Sequence, residues 1–109
     1  MPYNEDLARR VRAELGSKVE LQEKKMFGGV GFLIGGNLAC GVTGNNLIVR
    51  VGAENHSVAL AKAHTRPFAM GGRPMTGWIE VEPDGCRSEE ALKLWIKSGV
   101  AFARSLPPK

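Results

Sequence analysis

Arginines alternate with aromatic side chains between positions 66 and 78 of the sequence. Guanidinium groups attract anions and stack on planar rings, and aromatic rings stack on bases or become buried against a partner. With an arginine from the preceding apolar run, they form a candidate ligand- or partner-binding set: Arg50, Arg66, Phe68, Arg73 and Trp78. In the competing interpretation the segment is a long loop whose aromatic residues anchor it to the sheet and whose arginines bond loop carbonyls.

The same residues offer a second function, weak nucleic-acid binding by the segment from Arg66 to Trp78. The chain has 109 residues and a formal net charge of +4, and the excess lies at positions 26–75, where four basic residues face one acidic residue. This density is too low for a dedicated duplex-DNA binder. If nucleic acid binds, its affinity should fall steeply with salt, and an Arg66/Arg73 double alanine variant should flatten that slope.

Four side chains could ligate a soft metal: Cys40, Cys86, His56 and His64. Structural zinc sites draw their ligands in close pairs, whereas these cysteines are far apart and the histidines are eight positions apart. The spacing therefore predicts no metal site. We expect Cys40 to pack as a small apolar side chain in a strand, and Cys86 to lie in a turn as an ordinary thiol.

An enzyme remains a lesser alternative. Cys40 has no histidine or cationic neighbour in the local sequence, whereas Cys86 lies beside Arg87 and just before a predicted helix start, both of which could stabilise a thiolate. Glu80 and Glu82 alternate and could share one face of a strand, although charged residues on a solvated edge strand give the same pattern. The sequence therefore predicts no catalytic residue, and the protein is expected to be non-catalytic.

Eight of the fourteen glycines fall between positions 28 and 52. A dinucleotide-binding fingerprint needs G-x-G-x-x-G between a strand and a helix, whereas Gly29-Val30-Gly31 continues into an apolar, strand-like run. The Gly-Lys-Ser/Thr ending of a phosphate-binding loop is also missing. We interpret these glycines as hairpin turns and expect no cofactor.

The elements that would position these residues begin with a helix, which starts at Asn4 and ends at Gly16. Leu7, Val11 and Leu15 recur on one face of it. Period-two alternation then predicts a strand from Lys18 to Phe27. Three further strands follow, over residues 29–34, 38–43 and 47–51, joined by the short turns Gly35-Gly36-Asn37 and Gly44-Asn45-Asn46.

Residues 53–63 have helical tendency, and residues 64–75 contain two prolines and two glycines, which predict a loop. A strand around Trp78 to Val81 and a last helix from Ser88 complete the chain. The last helix carries a wide apolar stripe: Leu92, Trp95, Ile96, Gly99, Phe102, Ala103 and Leu106.

This order, α-β-β-β-β-α-β-α, predicts an α+β fold in which helices pack on an antiparallel sheet of about five strands. The length suits one domain over residues 1–109. No apolar run is long enough to span a bilayer, and the first residues lack a secretory profile, so we expect a cytoplasmic protein.

Several of these segments together resemble the TfoX/Sxy N-terminal-domain family. The most specific part is the Met-Phe-Gly-Gly element at positions 26–29, and the rest of the resemblance covers nearly the whole chain. Its supporting segments are Lys24-Lys25, Val30-Gly31-Phe32, Leu47-Ile48-Val49-Arg50-Val51, Arg66-Pro67-Phe68, Gly72-Arg73-Pro74-Met75, Gly77-Trp78 and the helix that contains Trp95.

The resemblance implies a curved antiparallel sheet packed by helices, similar to the type III secretion chaperone-like class. It implies no catalytic residues. The family's namesakes regulate natural competence in bacteria and carry a second, helical domain, which we do not expect after Lys109, so the competence role is not simply carried over. We therefore expect a small binding or regulatory module that acts on competence or transcription through protein contacts, including a homodimer formed by an exposed sheet edge or helix.

Overall fold

The computed structural model describes residues 3–16, 21–26, 28–70 and 72–108. Within them the helices are α1 (Glu5–Leu15), α2 (His56–Leu60) and α3 (Glu89–Ser105). The strands are β1 (Leu21–Met26), β2 (Gly29–Ile34), β3 (Asn37–Thr43), β4 (Asn46–Arg50), β5 (Thr65–Met70) and β6 (Arg73–Val81). Short 3₁₀ turns precede α2 and α3, at Ala53–Asn55 and Pro83–Gly85. None of the helices in the described parts of the chain is long and apolar enough to cross a membrane.

The six strands form one open antiparallel sheet in the order β1-β2-β3-β4-β6-β5. The predicted α+β class and the antiparallel sheet are therefore confirmed, with one strand more than the five expected. The predicted strand from Lys18 to Phe27 is observed as β1, and its outer positions, 18–20 and 27, lie outside the described residues.

The predicted loop at positions 64–75 is wrong, because this segment forms β5 and the start of β6, which pair as a hairpin. The two prolines of this segment favoured the prediction of a loop, because proline cannot donate a hydrogen bond to a neighbouring strand. β5 is an edge strand, where Pro67 is tolerated, and Pro74 lies close to the turn. The turn itself includes Gly72, whose φ of 79° is accessible to glycine at low cost.

The expectation that Glu80 lies on a solvated edge strand is also wrong. β6 pairs with β4 on one side and with β5 on the other, so Glu80 lies inside the sheet and its side chain is only 15% exposed. The error arose because the position of β6 depends on pairing with β4, about thirty residues earlier, which local patterning does not specify.

Helix boundaries follow the predicted caps. The Asn4 side chain accepts a hydrogen bond from the Leu7 amide at 3.1 Å, and the Ser88 hydroxyl accepts one from the Ala91 amide at 3.1 Å. Both caps satisfy amides that have no partner within the helix. The middle helix is shorter than predicted, because only residues 56–60 are α-helical and residues 53–55 form a 3₁₀ turn.

The main core lies where the helices cover the sheet. The predicted faces of α1 and α3 are buried there, and α3 packs across β3 and β4. In the apolar stripe of α3, Phe102 and Leu106 are only half-buried, and the other five positions are buried. Buried apolar area of this kind is the principal stabilising contribution in a domain of this size.

Candidate binding surfaces

Three of the five predicted site residues form a row across β4, β6 and β5, which we call the arginine–aromatic row: Arg50, Trp78 and Phe68. Arg50 is the register partner of Trp78, and its guanidinium carbon lies 5.2 Å from the centroid of that ring. The same carbon lies 5.2 Å from the ring of Phe102 on α3. The Phe68 and Trp78 rings stack with centroids 6.0 Å apart. Each ring of the row therefore already has a partner within the chain.

Arg66 lies on β5 beside two carboxylates. Its guanidinium nitrogen lies 3.1 Å from the Glu80 carboxylate, and a second nitrogen lies 4.0 Å from that of Glu82. The hydrogen bond with Glu80 raises the pKa of Arg66 above its ordinary value. Glu80 also accepts a hydrogen bond from the Asn46 amide at 2.5 Å. The carboxylates of Glu80 and Glu82 therefore balance the positive charge of Arg66, and its side chain attracts an anionic ligand only weakly.

Arg73 is not part of this row. It is exposed and pairs with Met70 at the turn of the β5–β6 hairpin. Arg73 and Trp78 are five positions apart on β6, which corresponds to about 16 Å along an extended strand. The predicted set of five residues is therefore brought together only in part.

The row is attached to α2 by a hydrogen bond that the sequence analysis did not anticipate. The amide of Gly77 donates to Nδ1 of His56 at 2.8 Å, and the Gly77 carbonyl accepts from the amides of Val51 and Gly52. Gly77 has a φ of 89°, and a Cβ there would lie 2.9 Å from the Gly52 carbonyl carbon. A glycine is therefore required for β6 to approach the end of β4 this closely.

We expect His56→Leu to lower the free energy of unfolding by about 1–3 kcal/mol, because it leaves the Gly77 amide without its acceptor. His56→Asn is the matched control, since its side-chain oxygen can accept the same hydrogen bond. Denaturant unfolding of the two variants measures the difference. Equal losses in both would show that the hydrogen bond contributes nothing.

A second surface, which we call the α3 groove, lies between α3 and the segment from Val51 to His64. It consists of two adjoining cavities of about 480 and 570 Å³, which share Val51, Asn55 and Ser98. Val58 from α2 and Leu94 from α3 line it and are 64% and 61% exposed. They are the most exposed large apolar side chains in the part of the chain that the structure describes.

Small side chains make the α3 wall of this groove smooth. Apart from Trp95 and Phe102, the α3 positions that line the groove are spaced three and four residues apart, as in the seam of a coiled coil. They are Ala91, Leu94, Ser98, Ala101 and Ser105. Trp95 forms part of the floor, and the Lys62 ammonium lies 5.2 Å from the centroid of its ring. Only the buried stripe of α3 was predicted from the sequence, although this second stripe has the same periodicity.

The two cysteines do not have the properties of nucleophiles. Both are free and buried. Burial raises the pKa of Cys86, although the positive charge of Arg10 opposes this, and its Sγ donates to the Glu82 carbonyl at 3.7 Å. A protonated, enclosed thiol is a poor nucleophile, which disfavours the enzyme alternative that uses Cys86. The described residues also contain no group of three or more histidine, cysteine or acidic residues that could hold a metal ion.

Burial raises the pKa of Cys40 to about 12, so the folded state favours its protonated thiol. In the unfolded chain this thiol loses its proton at about pH 8.5. The free energy of unfolding should therefore decrease as the pH rises above about 9. The thiol contributes at most about 1.4 kcal/mol per pH unit to this slope. Unfolding measured from neutral to alkaline pH should show a shallower decline in Cys40→Ala. An unchanged slope would contradict the burial argument.

A family model described as the TfoX N-terminal domain matches residues 13–103. This range includes the arginine–aromatic row and all of the α3 groove except Ser105, and it excludes the first two turns of α1. Neither a curated protein nor a solved structure gives a significant match.

Proposed function

Because the chain belongs to the TfoX N-terminal domain family, we propose that it is a small non-catalytic binding module that acts through protein contacts. The α3 groove is the observation that carries this proposal. We propose that these contacts regulate competence or transcription. The namesakes of the family regulate competence.

The groove has the properties of a protein contact surface. Exposed apolar side chains that lie together along a groove, unlike singly scattered ones, are typical of interaction sites. Val58 and Leu94 face the groove from opposite walls, and small residues of α3 leave its surface accessible to another polypeptide. Because these side chains are 64% and 61% exposed, burial of either one against a partner would gain roughly 1–2 kcal/mol, about three fifths of the gain for a fully exposed side chain.

The nucleic-acid alternative has less support. Nucleic-acid-binding surfaces combine uncovered aromatic faces with several uncompensated cations. Here Phe68 is 5% exposed, the Trp78 face is covered by Arg50, and Arg66 is matched by carboxylates. Arg73 is distant from these rings. The row therefore stabilises the packing of β4, β6 and β5, and the α3 groove is the better candidate surface.

Site-specific photo-cross-linking tests the proposed function. A benzophenone amino acid is placed at position 94 in cells that produce the protein. After ultraviolet irradiation it should give covalent adducts with a defined polypeptide. The same probe at position 24 on β1 is the control, because Lys24 is exposed and distant in sequence from the groove. The proposal fails if position 94 gives no more adduct than position 24.

A further inference from the structure

We propose that the occupant of the α3 groove is a second copy of this chain, with the two α3 helices packed antiparallel. This inference rests on the proposed function, because it names the partner of the same surface. We call the exposed stripe of α3 that lines the groove the seam: Ala91, Leu94, Ser98, Ala101 and Ser105.

The seam lets two helices approach closely. Ala91, Ser98 and Ala101 present small side chains, and Leu94 is the one large apolar residue among them. In an antiparallel pair centred on Leu94, this leucine lies opposite its own copy and Ala91 lies opposite Ser98 of the partner. Two copies then bury identical patches, as a two-fold interface requires.

Charge complementarity selects this orientation. Glu90 and Lys97 are seven positions apart and lie on the same flank of the seam, and neither forms an ion pair with another described residue. In the antiparallel pair Glu90 of each copy lies beside Lys97 of the other, which gives two opposite-charge contacts by symmetry. In a parallel two-fold pair, Glu90 and Lys97 of one copy would lie on the opposite side of the interface from Glu90 and Lys97 of the other, so neither opposite-charge contact would form.

The second wall of the groove completes the interface. Val58 on α2 is 64% exposed and faces the groove, so a helix that lies on the α3 seam also covers this side chain. Exposed ion pairs contribute little affinity, and we therefore assign orientation to Glu90 and Lys97 and association to the apolar contacts of Leu94 and Val58.

Sedimentation equilibrium of the purified chain tests the inference. The wild-type chain should associate to a dimer in a concentration-dependent manner, and Leu94→Glu should remain monomeric. Glu90→Lys and Lys97→Glu should each weaken the dimer roughly tenfold, because each creates two like-charge contacts. The Glu90→Lys/Lys97→Glu double variant should recover the wild-type dissociation constant, and this recovery does not depend on the stability of either single variant.

Three outcomes would overturn the inference. A wild-type chain that stays monomeric at millimolar concentration excludes a second copy as the occupant. A dimer that is broken by Lys24→Glu on β1, and not by Leu94→Glu, would place the contact at the sheet edge. A double variant weaker than either single variant would exclude the antiparallel register.

These failures are distinguishable from failure of the proposed function. If the purified chain is monomeric and position 94 cross-links to a different polypeptide in cells, the groove is a binding surface for another protein. If position 94 gives no adduct, neither proposal holds.

Discussion

Gly99→Ala is expected to lower the free energy of unfolding by at least about 2 kcal/mol, although the same change inside a helix ordinarily raises stability by about 1 kcal/mol. The reason is the contact between α3 and β3. A Cβ at position 99 would lie 2.2 Å from the Ala39 carbonyl oxygen and 3.0 Å from its carbon. These are backbone atoms within the sheet, so the overlap is relieved only if α3 moves away from the core.

Ser98→Ala is the control for this prediction, because it adds the same good helix former at the neighbouring, partly exposed position. Chemical denaturation monitored by circular dichroism should separate the two variants clearly. A Gly99→Ala variant as stable as the wild-type chain would show that α3 does not approach β3 as closely as the structure indicates.

Leu92→Ala is expected to cost about 2–5 kcal/mol, the range for removing a large side chain from a packed core. Leu92 is fully buried in the cluster that joins α1, α3 and the sheet. Most of the loss comes from the cavity and the contacts that the side chain leaves.

Leu94→Ala is the matched control, with the same substitution two positions along the same helix. Leu94 is 61% exposed, so its replacement should change stability by no more than about 0.5 kcal/mol at concentrations where the chain is monomeric. Unfolding in denaturant gives both values. Similar losses for the two variants would mean that the assigned buried and exposed faces of α3 are incorrect.

Local chemistry made much of the fold predictable. Asn4 and Ser88 cap helices because their short polar side chains satisfy free amides, and the Gly35–Gly36 turn has positive φ at both glycines. The segment around Pro67 was mispredicted because proline is excluded from central strands but tolerated at an edge. Whether a strand is an edge strand depends on the order of the whole sheet.

The candidate surfaces were less predictable, because they depend on non-local pairing. Arg50 and Trp78 are brought together by the register of β4 with β6. That register also places Glu80 beside Arg66, where its carboxylate balances the arginine's charge. The predicted site is therefore a weaker candidate for binding an anionic ligand. The groove depends on the placement of Val58 opposite Leu94, and only the α3 half of it can be detected as a sequence period.

The proposal that the α3 groove is a contact surface in the working protein is tested most directly by thiol labelling in cells. Ala101→Cys places a thiol on the seam, and Ala69→Cys places one on β5, and both alanines are exposed in the isolated chain. The native thiols, Cys40 and Cys86, are buried and should not react with the label. We predict that a maleimide labels Ala101→Cys much more slowly than Ala69→Cys in cells, and that the two rates converge in the dilute purified chain. Equal rates in cells would contradict the proposal.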